Sequence, residues 1–282
     1  MNEIVRREQL SENVFLFEVK APRIARKRKA GQFVILRLHE RGERFPLTVA
    51  DADPDRGTIT LIVQAVGKST MQMGRLQEGD AILDLVGPLG KPTPISKVGT
   101  VVAVGGGIGV AVVYPGTQAL QAAGNTVIGI IGARTKGLLI LEQEMRAACD
   151  ELFISTDDGS YGHHGFVSDL LQRLIDEGRQ IDEVLAVGPA PMMRAVCDLT
   201  EPHGIKTLVS LNPIMVDGTG MCGGCRVLVG GETKFTCVDG PEFDGHQVDF
   251  EELIKRQRMY ERLEEEAHAC YLADVAARAP AS

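Results

Sequence analysis

The amino-acid sequence predicts an antiparallel β-barrel followed by a doubly wound α/β domain and a short cysteine-containing segment. In the first third of the 282 residues, short alternating apolar and polar runs are separated by turn residues, which is typical of a small barrel. Continuous apolar runs then alternate with helical patterns, as expected for buried parallel strands. The predicted boundaries are 1–95 for the barrel, 96–210 for the α/β domain, 211–248 for the cysteine segment and 249–282 for a C-terminal helix and tail.

Composition and charge exclude several classes of protein. Hydrophobic residues make up 44% and charged residues 24% of the chain, as in an ordinary folded protein. The formal net charge of −8 argues against nucleic acid, whose phosphates require a basic surface. No apolar run is long enough to span a bilayer, and the N-terminus does not have the pattern of a signal peptide. We therefore expect a cytoplasmic protein, with reduced cysteines and without a membrane or nucleic-acid partner.

Two segments of the barrel region have features that strand pairing does not explain. The strands themselves are predicted at Val14–Val19, Gln32–Leu38, Thr58–Val63 and Ala81–Val86. Gly67–Thr70 reads Gly-Lys-Ser-Thr, but a P-loop would need a glycine where Ile62 stands. A helix that begins here, together with the cation of Arg44, could instead bind a pyrophosphate. The alternative is an edge-strand proline at Pro46 and an ordinary capped helix.

The α/β region is expected to bind a dinucleotide. Its first strand, Val98–Val104, leads through the glycines of 105–109 into a helix from about Val112 to Ala123. Glycines at this position allow a pyrophosphate to approach the helix N-terminus, although Val110 occupies the last position of the G-x-G-x-x-G pattern. Further strands are predicted at Thr126–Gly132, Leu152–Ser155 and Glu183–Val187, with helices at Leu139–Ala148 and Val167–Glu177.

The choice between NAD and NADP stays open at this level. Arg134 and Lys136 follow the second strand, where an NAD-binding domain usually has an acid. Two cations favour a 2′-phosphate, and solvated surface charge is the alternative. Loops 156–162 and 188–193 are expected to face the same crevice, although ordinary turns would have the same composition.

Three cysteines are spaced as Cys222-x2-Cys225-x11-Cys237, one ligand short of the plant-type pattern for a [2Fe-2S] cluster. Asp217 stands where the missing cysteine would be, and its carboxylate could be the fourth ligand. Glycines at 218, 220, 223 and 224 fit a loop wrapped around a cluster. Zinc is the alternative, but the sequence has no second pair of ligands at zinc-knuckle spacing.

A single amphipathic docking helix is predicted beyond the cysteine loop (212–237), with a frayed tail from Ala276 onward. It could dock either on its own chain or on another subunit. Its apolar stripe consists of Phe250, Leu253, Ile254, Met259, Tyr260 and Leu263.

The order of these motifs resembles the ferredoxin reductase-like FAD- and NAD-binding subunits. The motifs are Arg-x-Pro-Leu-Thr, Gly-Gly-Gly-Ile-Gly, Thr-Asp-Asp-Gly-Ser-Tyr-Gly, Gly-Pro-x-x-Met and the cysteine loop, and together they cover residues 1 to about 260. Within this group the chain is most similar to the small (alpha) subunits of electron-bifurcating NADH-dependent reduced ferredoxin:NADP oxidoreductases. The electron-transfer subunits of dihydroorotate dehydrogenases have a cysteine at the position of Asp217. Val112 departs from the family, which usually has a proline there.

The resemblance implies specific roles for residues. The flavin would contact Arg44, Pro46, Leu47 and Thr48, its isoalloxazine would border Val63 and Gln64, and its pyrophosphate would lie at Gly67, Ser69 and Thr70. The nicotinamide nucleotide would be bound by Gly105, Gly106, Gly107, Gly109, Asp157, Gly188, Pro189 and Met192. Arg134 is added to this set by its position after the second strand, and not by the resemblance. The cluster ligands predicted from the spacing, Asp217, Cys222, Cys225 and Cys237, complete the set of candidate site residues.

The resemblance also implies a function and a partner. Electrons would pass between NAD(H), FAD and the [2Fe-2S] cluster without an acid–base residue, and then to a larger glutamate synthase-like subunit. That subunit would carry its own FAD and [4Fe-4S] clusters and would use NADPH and ferredoxin. The family favours NAD(H), whereas Arg134 and Lys136 favour NADP(H), and we follow the family. The alternatives are a subunit serving dihydroorotate or sulfide oxidation, and a zinc-stabilised nucleotide-sensing interaction module.

Overall fold

The computed structural model describes residues 2–278 and begins with a nearly closed antiparallel barrel. The sheet order is β6-β1-β2-β5-β4-β3-β7, so the outermost strands β6 and β7 follow one another in the chain. The strands are β1 (Asn2–Ser11), β2 (Val14–Lys20), β3 (Phe33–Arg37), β4 (Phe45–Asp53), β5 (Thr58–Gln64), β6 (Ala81–Ile82) and β7 (Asp84–Leu89), and the helices are α1 (Pro22–Ala25) and α2 (Lys68–Gly74).

The barrel fold is confirmed, but three details of its prediction were wrong. Strand β1 was missed because Ile4 is its only fully buried residue, which leaves little alternation to detect. Strand β4 was taken for a site segment alone, although it forms nine residues of barrel wall. The predicted run Ala81–Val86 is two strands that meet at Leu83 and lie at opposite ends of the sheet, because the barrel closes there.

The α/β domain is a parallel sheet with the order β11-β10-β9-β8-β12-β13. Successive strands after β8 are added on one side through β9 and β10, and then on the other side through β12 and β13. This reversal creates a crevice at the carboxyl ends of β8 and β12, where such folds bind ligands. The strands are β8 (Thr100–Gly106), β9 (Thr126–Ala133), β10 (Glu151–Thr156), β11 (His163–His164), β12 (Glu183–Val187) and β13 (Lys206–Ser210), and the helices are α3 (Gly109–Ala122), α4 (Glu142–Ala148), α5 (Val167–Asp176) and α6 (Ala190–Thr200).

The predicted helix starts differ from the observed ones in two places. Helix α3 begins at Gly109, inside the glycine segment, rather than at Val112. Helix α4 begins at Glu142 rather than at Leu139, because Leu141 has a φ of 54°, in the left-handed region that a helix cannot include.

The C-terminal region adds a hairpin, an edge strand and three helices. Strands β14 and β15 pair with each other, and β16 extends the large sheet antiparallel to β13. The bounds are β14 (Arg226–Val229), β15 (Glu232–Phe235), β16 (Glu242–Asp244), α7 (Thr236–Asp239), α8 (Phe250–Gln257) and α9 (Glu261–Arg278). Among the described residues, no helix combines the length and apolar composition needed to cross a lipid bilayer.

The single docking helix that was predicted is two helices. In α8, Phe250 and Leu253 are buried in the α/β core, so this half docks on its own chain. Helix α9 starts after a break at residues 258–260, and its Tyr271 ring lies 5.2 Å from the guanidinium carbon of Arg75. The predicted tail was wrong for residues 276–278, because they belong to α9. Residues 279–282 lie outside the described residues.

A buried carboxyl group joins the barrel to the other two regions. Thr93, between β7 and β8, donates a hydrogen bond from its hydroxyl to Glu242 Oε1 at 2.7 Å, and its backbone N–H donates to Ala30 O at 2.9 Å. Oε2 of Glu242 is buried and has no hydrogen-bond partner in the described part of the chain. Burial, with a smaller contribution from the charge of Glu183, raises the pKa of Glu242 to about 7.

The junction should therefore become less stable as pH rises. Because the pKa of Glu242 is about 7 in the folded chain and 4.5 ordinarily, its protonated form stabilises the fold below pH 4.5, and this contribution is lost as pH rises through 7. The loss is about 3 kcal/mol in the free energy of unfolding.

We expect Glu242→Gln to remove this loss in urea unfolding measured at pH 5 and pH 8. The exposed Glu251→Gln is the control and should keep the wild-type difference. Parallel pH profiles for wild type and Glu242→Gln would contradict the prediction.

Candidate functional site

The predicted flavin segment lies along β4. Arg44 immediately precedes the strand and is exposed, while Pro46 and Thr48 are half-buried and alternate with core-facing residues. Val63 is buried in the barrel core, which leaves its backbone to border a flavin, whereas Leu47 packs against that core and is half-buried. Gln64 ends β5 and is half-buried.

The Gly67–Thr70 turn is held together by Thr70. Its hydroxyl oxygen accepts from the N–H groups of Val66 at 3.1 Å and Gly67 at 3.0 Å, and it donates to Gly67 O at 3.0 Å. The first intrahelical bond of α2 runs from Met71 N to Gly67 O, so the N–H groups before it are available to a ligand. Thr70 thus shapes the turn, and the backbone of Lys68 and Ser69 offers the donors.

Glu43 connects the two predicted FAD segments. Ser69 donates a hydrogen bond to Glu43 Oε2 at 2.5 Å, and Lys68 Nζ lies 3.4 Å from Oε1. The structure therefore brings the residues beside Arg44 and the start of α2 together. Sequence reasoning missed Glu43, although its position next to Arg44 was a usable indication.

The nucleotide-binding loops meet at the crevice between β8 and β12. The side chain of Met192 packs between Gly106 and Gly188, and a Cβ on Gly188 would lie 2.7 Å from the Met192 sulfur. A Cβ on Gly109 would collide with the carbonyl of Val187, so glycine lets α3 begin directly against β12.

Three further predicted residues complete this crevice edge. Gly107 has a φ of +57° and donates its N–H to Gly132 O at 2.8 Å. Gly105 is buried and ends β8 together with Gly106, and Pro189 is exposed at the crevice edge.

The cations after β9 have different surroundings. The Lys136 ammonium lies 5.0 Å from the centre of the Tyr161 ring, and its backbone N–H donates to Ser160 Oγ at 2.9 Å. Arg134 is exposed, as is Asp157, whose N–H bonds to Ala133 O at 3.1 Å. Lys136 thus packs on Tyr161, while the side chains of Arg134 and Asp157 are exposed at the end of the sheet.

Asp217, Cys222 and Cys225 lie in the loop before β14, and Cys237 lies in α7 after the β14–β15 hairpin. The Cys225 thiol donates to the Cys237 sulfur at 3.2 Å, and both residues are 1% exposed. Asp217 accepts hydrogen bonds from the N–H groups of Thr219 and Cys222, each at 2.8 Å. Within residues 2–278, no three His, Cys, Asp or Glu side chains converge as a finished metal site. Instead, the buried thiols of Cys225 and Cys237 contact each other, and the Asp217 carboxylate is hydrogen-bonded to the backbone of Cys222.

The chemistry of this donor set fits a cluster. Burial, together with the hydrogen bond to Cys225, raises the pKa of the Cys237 thiol to about 12. A bound metal would supply the positive charge that turns such thiols into thiolates. Gly218, Gly220 and Gly223 have φ values of 76°, 84° and 67°, which larger residues adopt only with strain.

The cysteine loop packs directly on the barrel. Phe33 and Ile35 of β3 form a small buried cluster with Met215, Cys225 and Cys237. The same strand pairs with the flavin segment, with Phe33 opposite Thr48 and Ile35 opposite Pro46. Sequence reasoning did not identify Phe33 or Ile35, because nothing local distinguishes them from other strand residues.

Comparison with known proteins agrees with this arrangement. Residues 2–93 match the family model described as oxidoreductase FAD-binding domain, and residues 212–249 match the iron-sulfur cluster binding domain of dihydroorotate dehydrogenase B. These matches confirm the predicted FAD and iron–sulfur cofactors, whereas the individual ligands remain a prediction.

Several relatives match over nearly the whole chain. A dihydroorotate dehydrogenase B (NAD(+)) electron transfer subunit homolog from Thermotoga maritima is 48% identical over 272 residues, 96% of each chain. The electron transfer subunit from Geobacillus thermodenitrificans is 33% identical over 254 residues, 87% of this chain and 96% of its own.

Solved structures of similar proteins share this fold. A chain of the NADH-dependent reduced ferredoxin-NADP oxidoreductase, a structure that gave insight into flavin-based electron bifurcation, superposes with a TM-score of 0.92 at 46% identity, over 96% of this chain and 98% of its own. The Amycolatopsis cytochrome P450 reductase, at 20% identity and a TM-score of 0.61 over 72% of this chain and 66% of its own, shares the ferredoxin reductase-like fold. The chain therefore belongs to the family of dihydroorotate dehydrogenase B-type electron-transfer subunits, with an FAD-binding barrel, an α/β domain and an iron–sulfur domain.

Proposed function

We propose that the chain carries electrons from NAD(H) through FAD to a [2Fe-2S] cluster, as the small subunit of an electron-bifurcating NADH-dependent reduced ferredoxin:NADP oxidoreductase. The observation that carries this proposal is the position of β3. One edge of the strand is hydrogen-bonded to the flavin segment, and its outer face contacts Cys225 and Cys237. The solved structure at 46% identity supports this type of complex.

Each region of the chain has one task in this proposal. Bound FAD supplies the exchange between a hydride and single electrons. Arg44 and the N–H groups at the start of α2 would hold its pyrophosphate. The glycine loops at 105–109 and 188–192 would admit the nicotinamide nucleotide to the crevice. Asp217, Cys222, Cys225 and Cys237 would hold the cluster, and no side chain has to act as an acid or base.

The surface beside the cluster loop suits a partner protein. Val216, Met221 and Val238 are 45%, 88% and 38% exposed, and each is the sequence neighbour of a proposed ligand. Exposed apolar side chains grouped in this way are typical of a protein interface. The proposed partner is a larger glutamate synthase-like subunit with FAD and [4Fe-4S] clusters, through which ferredoxin exchanges electrons.

The second candidate is a dihydroorotate dehydrogenase-type partner, favoured by the names of the relatives at 48% and 33% identity. Co-purification separates the two, because a barrel dehydrogenase is much smaller than a glutamate synthase-like subunit. Recovery of a barrel dehydrogenase with this chain would refute the bifurcating assignment.

We expect NADH to reduce the flavin faster than NADPH does. Anaerobic stopped-flow absorbance measures both rates on the purified chain, and appearance of the reduced-cluster spectrum after NADH is added tests the whole proposal. If NADPH were about tenfold faster, a difference of about 1.4 kcal/mol in barrier, the coenzyme assignment would be wrong, and Arg134 would be the side chain to replace.

A further inference from the structure

The geometry points to Ile35 and Phe33 as positioning residues that hold the cluster loop at a fixed distance from the flavin segment. This inference rests on the proposed function and adds a structural element to it. A bound flavin and a bound cluster would supply a one-electron exchange in which no covalent bond forms or breaks. Ile35 and Phe33 would keep the residues that hold the two groups at a constant separation.

Strand β3 presents its two faces to different environments. Val34 and Leu36 are fully buried in the barrel core, whereas Phe33 and Ile35 are 3% and 2% exposed and lie in the cluster with Met215, Cys225 and Cys237. Because side chains alternate between the two faces of a strand, one residue of β3 packs into the barrel core and the next packs against the cysteines. A change at Ile35 can reach the cysteines without emptying the barrel core.

The cysteine loop also approaches the barrel closely at a glycine. A Cβ added to Gly218 would lie 2.6 Å from Leu89 Cδ1 and 2.9 Å from Ile35 Cγ1. The backbone next to Asp217 therefore rests on Ile35. Ile35 touches the loop near its first proposed ligand and shares a buried cluster with the last two. The side chain of Ile35 thus contacts the cysteine segment both near Asp217 and near Cys225 and Cys237.

The same strand fixes the flavin segment. Phe33 pairs with Thr48, Val34 with Leu47 and Ile35 with Pro46 in the antiparallel register. A rigid, hydrogen-bonded ladder consequently separates the flavin contacts from the cysteines, with no flexible loop between them. Close packing of this kind transmits small displacements.

The test uses Ile35→Ala with Ile59→Ala as its matched control. Ile59 is fully buried in the barrel core, so both variants lose the same atoms from a packed site. We expect NADH to reduce the flavin at wild-type rate in both variants, while reduction of the cluster slows by about tenfold or more only in Ile35→Ala. The iron-loaded Ile35→Ala chain should also show an altered electron paramagnetic resonance spectrum and faster loss of iron.

The outcomes separate this inference from the proposed function. If NADH does not reduce the cluster of the wild-type chain, the proposed function fails. If it does, and Ile35→Ala matches Ile59→Ala in rate, spectrum and iron retention, the positioning role is refuted. Ile35→Val removes one methyl group and covers the case in which Ile35→Ala does not fold. It should give a smaller change in the same direction, and a wild-type result in all three measurements would also refute the role.

Discussion

Replacing Asp217 by alanine is expected to leave the purified chain without a stable cluster. The carboxylate accepts hydrogen bonds from the N–H groups of Thr219 and Cys222, and the bond from Thr219 is the main cause that lowers the pKa of Asp217. The group is therefore ionised at neutral pH and available as an anionic oxygen ligand. Without it, one iron corner would be open to water. Iron content after desalting measures the loss, and we expect iron to fall to a small fraction of the wild-type amount.

Two further substitutions separate a ligand from a turn former. Asp217→Cys restores the C-x4-C-x2-C…C spacing and supplies a softer thiolate, so it should retain iron with a shifted potential and a changed paramagnetic resonance spectrum. Asp217→Asn has the same shape and keeps one of the two acceptor oxygens, which can still accept the N–H of Thr219, but it removes the charge and the oxygen that accepts from Cys222. If the Asn variant keeps wild-type iron and an unchanged spectrum, Asp217 only shapes the turn.

The double variant Arg44→Ala with Thr70→Ala is expected to lose FAD while keeping the cluster. Arg44 would contribute a charge-assisted contact to the pyrophosphate, and Thr70 fixes the turn through its bonds to Val66 and Gly67. Together the losses amount to about 3 kcal/mol, which corresponds to a dissociation constant more than about a hundredfold weaker.

Fluorescence of released flavin during dilution measures this affinity. The exposed Arg41, on the same loop as Arg44, provides the control, and Arg41→Ala should bind FAD like wild type. Retention of FAD by the double variant at low protein concentration would remove Arg44 and the α2 turn from the binding site. Simultaneous loss of the cluster would instead indicate that the fold has failed.

The sequence alone was sufficient to predict motifs and elements that depend only on residues close together in the chain. The cysteine spacing, the glycines before α3 and the strongly apolar β12 are local patterns, and β12 begins and ends where it was predicted. Motif order along the chain also indicated the family, because each motif is short and contiguous. Strand β1 was missed because it has no such local pattern. Only one of its ten side chains is fully buried, so apolar and polar residues do not alternate along it.

Only the tertiary structure decided which distant segments meet. Ser69 reaches Glu43 across 26 positions of sequence, and Ile35 packs on cysteines far along the chain. The start of α3 at Gly109 is set by the carbonyl of Val187 on another strand. Such contacts depend on barrel closure and on sheet order, which long-range packing determines and local propensity does not. The sequence therefore determined which cofactors this chain is built for, and the fold determined that a single strand, β3, connects their sites.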